Sequence, residues 1–435
     1  MNTLVKKTVN IEPNKQRQYL TIPFEVDEGV ERIDVTYRYP RYFAAMENGF
    51  TMARRGCTID LALEGPHGEL VGSSGSDRES VFVSPLKSSA GFQKLEITKG
   101  VWKIIVGAYH VPQEGVAVEY DIAFTYKERR LFKGDTHTHT VASDGVLTAD
   151  ALAEAAAALN LDFLFVTDHN NTAQNENLPE RDDITVLPGT EWTHYKGHAN
   201  FLGAKQPYGG RYYCADLNEA VSLMEQARRN GALVTLNHPF CPLVPWEWGF
   251  DVPYDAVEVW NGVMSERNER AISWWHARLC EGAHIAATGG SDFHRPGLFA
   301  SIGLPCQCVY APSRSPKDIL DALKKGSGYI TFLPDGPGAD FRATTPDGAF
   351  LSFGDTAKSG TEVELRFFDL RVGDEIRLIT DRETKSHSCP EGAMSLRLKA
   401  NFEGARFLRA EIYRSYAPGL PPMRALLTNA LYFEA

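Results

Sequence analysis

The sequence has no long uninterrupted apolar run. None of its hydrophobic stretches approaches the ~20 residues that a membrane-spanning helix needs. The N-terminal stretch, MNTLVKKTVNIEPNKQRQYL, also lacks the apolar core of a signal peptide. We therefore expect a cytoplasmic protein with no membrane partner.

An excess of basic residues is missing as well. Lys and Arg number 45 against 56 Asp and Glu, which gives a formal net charge of -11. A general nucleic-acid binder would normally present a basic face, so this balance argues against a nucleic-acid partner. It leaves a phosphorylated substrate open, because bound metal ions can invert the charge of a site.

Cysteine is sparse and scattered. There are seven cysteines and no CxxC pair, so neither a zinc ribbon nor a redox motif is indicated. Cys306 and Cys308 would lie on the same side of a strand, and we expect them to be buried and reduced, as free cysteines usually are. The sequence also has no internal repeat and no low-complexity segment.

The sequence does have three regions of different texture. A chain of 435 residues is long enough for two or three domains. Residues 1–130 hold seven short alternating runs, and residues 336–435 hold four more, which predicts an N-terminal β-sandwich or jelly roll and a second, C-terminal β-sandwich domain. The N-terminal runs are YLTIPFEV, RIDVTYRY, TIDLALEG, SVFVSPL, KLEITKG, VWKIIVGAYHV and VAVEYDIAFTYK.

Residues 131–335 alternate continuous apolar strands with amphipathic helices. Such strands are typical of a mostly parallel α/β sheet, and about eight of them within this length favour a barrel. Helix boundaries can be read from the capping residues. We expect N-caps at Thr148, Asp216 and Ser315, with Gly231 and Gly326 ending the last two helices.

The ends of these strands carry the candidate chemistry. In LFKGDTHTHTVASDG, His137 and His139 would point to the same side of a strand, although such a pair alone is often only a solvated surface. Catalytic groups of an α/β barrel gather at the carboxyl ends of its strands. Imidazoles and carboxylates occur at five strand ends, which predicts a metal site made of His137, His139, Asp144, His169, Glu191, His198, His238, Asp292 and His294.

The types of ligand limit the choice of metal. Nitrogen and carboxylate ligands without thiolate fit zinc, manganese or iron. Nine ligands are too many for one ion, so we expect two or three divalent ions that share a bridging carboxylate. Two ions held about 3.5–4 Å apart would lower the pKa of a shared water and supply hydroxide at neutral pH.

These motifs, DTHTHT…SDG, TDHN, NHP and GSDFH, resemble in order those of the polymerase and histidinol phosphatase (PHP) superfamily over roughly residues 132–335. GHANFLG, VEVWNG, AISWWHARLCEG and LRAEIYR…ALLTNALYF are similar to its carbaryl-hydrolase-like (CehA/McbA) branch. The resemblance implies a distorted (β/α)7 barrel of PHP type, flanked here by the two β-sandwich domains. It also implies three ion sites, formed by His137, His139, Glu191 and Asp292, by Asp144, His169 and His294, and by Glu191, His198 and His238.

Residues beside these ligands are candidates for catalysis and substrate binding. Arg267, Arg295 and Lys196 would grip a phosphate, unless they are ordinary solvated charges. His194 would protonate a leaving group, compete with His198 for the third ion, or lie on the rim of the site. Asp292 is expected to take part in catalysis as well as to bind metal.

Other polar and aromatic residues have supporting interpretations. Asp168 is expected to orient a ligand or its strand, and Glu258 either does the same or lies on the inner wall of the barrel. A set of tryptophans would pack in the core or line a substrate pocket, namely Trp246, Trp248, Trp260, Trp274 and Trp275.

The pattern favours a metal-dependent phosphoesterase that acts on a small-molecule phosphate ester. The alternative is a hydrolase of a carboxylic ester, carbamate or amide, because the same metals can activate water against either centre. Basic residues in the pocket would favour phosphate, and a tryptophan-lined pocket would favour the carbonyl. A third alternative is a non-catalytic protein whose β-sandwich domains bind a carbohydrate or a cell-envelope partner. The sequence leaves the substrate, the native metal and the oligomeric state open.

Overall fold

The computed structural model describes residues 2–47 and 50–434. The chain divides into two compact units between Glu128 and Arg129, within two residues of the boundary expected from the sequence. Each unit has a hydrophobic core of its own residues. No helix among the described residues combines the length and the apolar character required to cross a membrane.

The first unit consists almost entirely of β-strands. Two four-stranded antiparallel sheets, in the orders β1-β10-β3-β8 and β2-β9-β6-β7, share one hydrophobic core, and β4 pairs with β5 in a separate hairpin. The strands are β1 (Asn2–Ile11), β2 (Gln18–Val26), β3 (Val30–Arg38), β4 (Tyr42–Glu47), β5 (Phe50–Arg55), β6 (Thr58–Glu64), β7 (Leu70–Ser74), β8 (Ser80–Val83), β9 (Gly100–His110) and β10 (Val116–Tyr126).

The alternation of apolar and polar residues explains where most strands of this unit form. Six of the seven expected runs form strands, because every second side chain, such as Ile59, Leu61 and Leu63 of β6, enters the core. The expectation for KLEITKG was wrong. Gln93 N–H bonds to Val71 of one sheet and Leu95 N–H bonds to Ser84 beside the other, so this segment crosses between the sheets and forms no continuous ladder.

The second unit begins with nine strands and four helices. Its strands are β11 (Arg130–Asp135), β12 (Phe163–Val166), β13 (Thr185–His194), β14 (Gly197–Leu202), β15 (Leu233–Asn237), β16 (Ala256–Asn261), β17 (Ala286–Gly290), β18 (Cys306–Ala311) and β19 (Gly328–Thr331). The helices are α1 (Ala149–Ala158), α2 (Leu217–Arg229), α3 (Glu266–Cys280) and α4 (Pro316–Lys325). The predicted caps are confirmed, since Thr148, Asp216 and Ser315 each accept a hydrogen bond from the backbone three residues on.

Strands β11 to β17 lie side by side in chain order. Neighbours are parallel except around β14, which is antiparallel to both β13 and β15. The implied (β/α)7 barrel is not shown, because the described residues form only four α-helices and the unit is mostly β. A tight turn replaces a helix between β13 and β14, and long loops replace helices after β12 and β15.

The remaining strands either extend this sheet or form a second one. They are β20 (Gly338–Thr344), β21 (Phe350–Leu351), β22 (Thr356–Ala357), β23 (Glu362–Phe368), β24 (Glu375–Ile379), β25 (Thr384–Ser388), β26 (Ser395–Asn401), β27 (Phe407–Arg414), β28 (Met423–Thr428) and β29 (Leu431–Phe433). β28 pairs with β19, so the sheet runs without a break past residue 335, and β21-β20-β23-β26 form a second sheet. Residues 336–435, expected as a separate domain, thus belong to the same compact unit as the residues before them.

Candidate metal centre

The carboxyl ends of the parallel strands gather most of the candidate ligands. His137 and His139 follow β11, His169 follows β12, His238 follows β15, and Asp292 follows β17. Glu191 and His198 lie on the antiparallel pair β13 and β14, while Asp144 and His294 lie in loops. Isolated parallel bridges continue the ladders past the strand ends, joining Thr138 to Phe293 and His169 to Glu191.

All nine predicted ligands come together. Three groups each offer ligand atoms that lie within 4.8 Å of one another: His137, His139, Glu191 and Asp292; His139, Asp144, His169 and His294; and Glu191, His198 and His238. The structure therefore assembles the predicted set, with His139 shared between the first two groups. That these residues hold metal ions stays a prediction.

The nine residues differ in burial. We call His137, His139, Glu191, His198, His238 and Asp292 the inner cluster, and Asp144, His169 and His294 the outer group. Within the inner cluster, the side chains of His137 and His139 are fully buried and Glu191 is 1% exposed, whereas Asp292 is 25% exposed. In the outer group, His169 and His294 are each 26% exposed and Asp144 is 59% exposed. The outer group thus marks the side of the centre that is open to solvent.

Glu191 is the hub of the inner cluster. Its Oε1 lies 3.0 Å from His198 Nδ1, 3.3 Å from His137 Nε2 and 3.4 Å from His238 Nε2. Burial alone would raise the pKa of this carboxyl, but the neighbouring imidazoles, His137 first, hold it well below its usual range. Glu191 is therefore an anionic side chain that faces several imidazoles at once, as a carboxylate bridging two ions must.

Fixed hydrogen bonds set the tautomers of three histidines. His137 Nδ1 lies 2.9 Å from the Glu258 carboxylate, and His294 Nδ1 lies 2.8 Å from the carbonyl of Asp292. His169 Nδ1 faces Thr193 Oγ1 at 2.6 Å, and that hydroxyl donates to the Glu191 carbonyl. These oxygens accept hydrogen bonds, so each Nδ1 carries the proton and each Nε2 keeps its lone pair for a cation.

Buried nitrogens without partners test whether a cation fits. Among the described residues of the centre, His137 Nε2, both ring nitrogens of His139 and His238 Nδ1 are buried and have no hydrogen-bond partner. A buried polar atom left unpaired is costly, and native proteins rarely tolerate one. Divalent cations with nitrogen and carboxylate ligands would take the lone pair of one nitrogen in each ring, so the residues present fit the metal ions that the sequence predicts.

Buried carboxylates hold the loops that carry the ligands. Asp168 accepts hydrogen bonds from Thr140 N, Thr140 Oγ1 and Ser143 Oγ at 2.6–2.7 Å, which ties down the loop of Asp144. Asp135 accepts from the backbone of His137 and of Ser291, and so joins the end of β11 to the loop after β17. Asp168 therefore has the orienting role that the sequence predicts.

Two ligands have strained backbones. His238 has φ of 28° and Asp292 has φ of 54°, in the left-handed region that side chains other than glycine rarely adopt. The His238 N–H donates to Glu258 and the Asp292 N–H donates to the His137 carbonyl, so tertiary hydrogen bonds enforce both conformations. Such strain commonly marks functional positions.

The predicted catalytic and substrate residues lie beside the centre. His194 belongs to none of the three groups; its Nδ1 accepts from Lys196 N, and its Nε2 lies 3.3 Å from the Cys214 carbonyl. Arg267 donates to Asn261 Oδ1 at 2.7 Å, and exposed Arg295 donates to the carbonyl of Asp144 at 3.3 Å. Between His194 and His198, the structure places His198 with Glu191, and the role of His194 as a proton donor stays a prediction.

Sequence reasoning missed three supporting residues. Asn237 donates to Glu191 Oε1 at 2.9 Å, Asn261 donates to Glu258 and to Asp292, and Thr193 supports His169. A signal was available for the two asparagines, since each closes an apolar run in a buried strand, ALVTLN and AVEVWN. Thr193 carries no such signal, because threonine is ordinary in a strand.

Comparisons with known proteins place this centre in context. No family model matches the chain. A 5'-3' exoribonuclease, Rnm, from Escherichia coli K12 is 36% identical over 75 residues, which cover 15% of this chain and 25% of that protein. The chain thus spans about a quarter of the length of that relative.

Solved structures that are similar to the chain include a protein with a phosphoesterase-like domain and an amidohydrolase. A two-domain protein from Bacteroides vulgatus, containing a predicted PHP-like metal-dependent phosphoesterase, is 16% identical, covers 70% of this chain and 96% of its own, and has a TM-score of 0.38. An amidohydrolase from Chromobacterium violaceum is 18% identical, covers 38% of this chain and 89% of its own, and has a TM-score of 0.26. Both TM-scores are below 0.5, so the chemistry must be argued from the residues of this chain.

Proposed function

We propose that the chain is a metal-dependent hydrolase that acts on a small-molecule phosphate ester. The observation that carries the proposal is the buried cluster of imidazoles around Glu191, with lone pairs that no described protein atom satisfies. No described cysteine belongs to this cluster, and its nitrogen and carboxylate donors suit zinc, manganese or iron. A PHP-type centre of the carbaryl-hydrolase-like branch, on a barrel with few helices, is the finer assignment that we infer.

The ligand groups would hold two or three divalent ions. His137, His139, Glu191 and Asp292 would hold the first, Asp144, His169 and His294 the second, and Glu191, His198 and His238 the third. Bound there, such ions would lower the pKa of water and offset charge that develops in the transition state. Three ions against the three ligating carboxylates would leave roughly +3 locally, which attracts an anion in an otherwise acidic chain.

The surroundings of the centre favour phosphate over a carbonyl. The exposed guanidinium of Arg295 is attached to the Asp144 loop, on the solvent side of the centre, where it can meet phosphate oxygens. Arg267 is held by Asn261, which also contacts Asp292. The tryptophans do not line an open pocket, since Trp246, Trp248, Trp260 and Trp275 are buried in the core and Trp274 packs against it.

The test is turnover of three substrates by protein loaded with manganese, zinc or iron. They are p-nitrophenyl phosphate, bis-p-nitrophenyl phosphate and 1-naphthyl methylcarbamate. We expect phosphate turnover that His137→Ala and Asp292→Ala reduce about 1,000-fold, because each removes a ligand of the first group. His67→Ala, which changes an exposed histidine of the first unit, is the matched control and should have no effect.

Two results would contradict the proposal. Turnover of the carbamate alone would replace the phosphate ester with a carboxylic ester, carbamate or amide. No turnover of any substrate, with less than one metal ion bound per chain, would favour a non-catalytic binding protein.

A further inference from the structure

The most exposed large apolar side chains of the described residues lie next to the metal centre. Tyr195 is 95% exposed, Leu298 is 90% exposed and Leu243 is 87% exposed. Each follows a candidate ligand by four or five residues in the chain. Phe299, 72% exposed, adjoins Leu298. We call Tyr195, Leu243, Leu298 and Phe299 the apolar rim.

Turn geometry displays three of the four. His194 pairs with Gly197, so Tyr195 and Lys196 form the tip of the hairpin between β13 and β14. Gly297 and Ala300 exchange two backbone hydrogen bonds, which leaves Leu298 and Phe299 at the tip of a second tight turn. Tight turns normally carry Gly, Asn, Asp or Ser. Large apolar residues at two such tips bury little of their surface, although the Tyr195 ring meets the His194 ring edge to face, so they point to a use outside the chain.

The loops that carry the rim are joined at the open side of the centre. Val146 N–H donates to the carbonyl of His294, which links the Asp144 loop to the loop of Leu298. Glu247 N–H donates to the carbonyl of Lys196, which links the loop of Leu243 to the hairpin of Tyr195. The hairpin of Tyr195 and the loops of Leu243 and Leu298 also follow the carboxyl ends of β13, β15 and β17, so the rim lies at the same edge of the sheet as the outer group.

Positive charges accompany the apolar tips. Lys196 adjoins Tyr195, and its ammonium lies 4.8 Å from the centre of the Trp248 ring. Arg295 lies three residues before Leu298, and both cations are exposed. An apolar tip can enter the acyl chains of a lipid layer while the cation beside it meets the anionic headgroups. The charge beside the tips is positive, although the whole chain is acidic.

We propose that the apolar rim docks on an anionic lipid surface, so that the metal centre meets an amphiphilic phosphate ester at headgroup depth. The identity of the substrate rests on the proposed function, whereas the docking does not. Single side chains that protrude from separate tips suit a fluid acyl layer, which closes around each of them. A protein partner or a second copy would need a matching pocket for every tip. The proposal revises the expectation of no membrane partner. That expectation came from the sequence, in which the exposure of these side chains cannot be seen because tertiary structure sets it.

The test is co-sedimentation with vesicles of phosphatidylcholine, alone or mixed with phosphatidylglycerol. The wild-type chain should sediment with the mixed vesicles. The triple change Tyr195→Ser, Leu243→Ser and Leu298→Ser should weaken binding at least about tenfold, since each site loses apolar area that would enter the acyl layer. The matched control makes the same kinds of exchange at exposed residues of the first unit, namely Tyr19→Ser, Leu4→Ser and Leu70→Ser, and should bind as wild type.

The outcomes separate docking from catalysis. His137→Ala should bind vesicles as well as wild type, because it removes a buried ligand and no part of the rim. Wild-type protein that ignores both kinds of vesicle, or a rim variant that binds them undiminished, would overturn the proposal. Gel filtration tests whether the rim binds a second copy of the chain instead. If the wild-type chain is a dimer that does not bind vesicles, and the triple rim variant is a monomer, the rim is an interface between copies. Failure of the phosphate assay with vesicle binding intact would count against the proposed function alone.

Discussion

The inner cluster and the outer group use the same kinds of side chain in two different settings. Inner ligands such as Glu191 and His137 are buried, are held by residues of neighbouring strands and face several partners at once. Outer ligands such as Asp144 come from loops and are partly exposed. This difference indicates that ligand type and spacing would select the metal, while the supporting hydrogen bonds and the burial would decide how firmly each ion is held.

The largest effect should follow from a change at the hub. Glu191→Gln keeps the size of the side chain but removes the charge that faces His137, His198 and His238. We expect loss of the inner ions and a fall in phosphate turnover of about 1,000-fold or more, because two of the three groups share this carboxylate. Elemental analysis and turnover of the purified variant measure both effects.

The matched control for the hub is Glu225→Gln. Glu225 is an exposed glutamate on α2, 3.6 Å from Arg229, and the exchange should change neither metal content nor turnover. A Glu191→Gln protein that keeps its full metal content would show that Glu191 is not the hub, and the distinction between inner and outer ligands would lose its basis.

A change in the outer group should cost less and act on one ion. Asp144→Asn removes the charge of the most exposed candidate ligand, which lies 3.2 Å from His294 Nε2. We expect one ion to bind about 100-fold more weakly while the inner ions stay in place, since Asp144 pairs with His169 and His294 of the outer group. Titration of the metal-depleted variant with manganese, followed by calorimetry, separates the two classes of site.

The same titration can contradict the distinction between the inner cluster and the outer group. If Asp144→Asn abolished binding at every site, the two groups would form one cooperative unit. Exposure would then be a poor guide to the strength of each site.

Sequence could predict the ligands because their spacing reflects strand ends. Most of the nine residues follow or close an apolar run, and an apolar run can be recognised directly in the order of the residues. His198 instead stands at the start of a strand, and Asp144 lies in the loop that follows His139. The helix caps at Thr148, Asp216 and Ser315 could also be predicted, because a cap interacts with the backbone only three residues away in the chain.

What sequence could not supply depends on contacts between distant segments. Thr193 and Asn237 act through hydrogen bonds to residues on other strands, and the number of helices depends on how each connection packs. The continuation of the large sheet into the C-terminal strands rests on the pairing of β19 with β28, 95 to 99 residues apart in the chain. The exposure of the rim is likewise a tertiary property.

A smaller effect should come from the carboxylate behind His137. Glu258 accepts from His137 Nδ1 and from the backbone of His238, so Glu258→Gln would place an amide N–H against one of these donors. We expect metal affinity at the inner cluster to fall about 10- to 100-fold, with the fold intact. Competition with a chelator of known affinity measures the loss. An unchanged affinity would show that Glu258 does not orient His137 and only fills space beside it.

The smallest effect should come from the hydroxyl that orients His169. Thr193→Val preserves the shape of the side chain and its β-branch, and removes the oxygen that faces His169 Nδ1 at 2.6 Å. The Glu191 carboxylate, whose Oε2 lies 2.9 Å from the same Nδ1, remains beside the ring, so the imidazole should retain its tautomer and lose only part of its restraint. We expect a three- to tenfold loss of affinity for the outer ion and none for the inner ions, since one hydrogen bond is worth about 1 kcal/mol. Manganese titration of the variant beside Asp144→Asn measures the difference. A loss confined to the inner ions would show that Thr193 acts through Glu191, whose carbonyl it also contacts, and would assign it to the inner cluster.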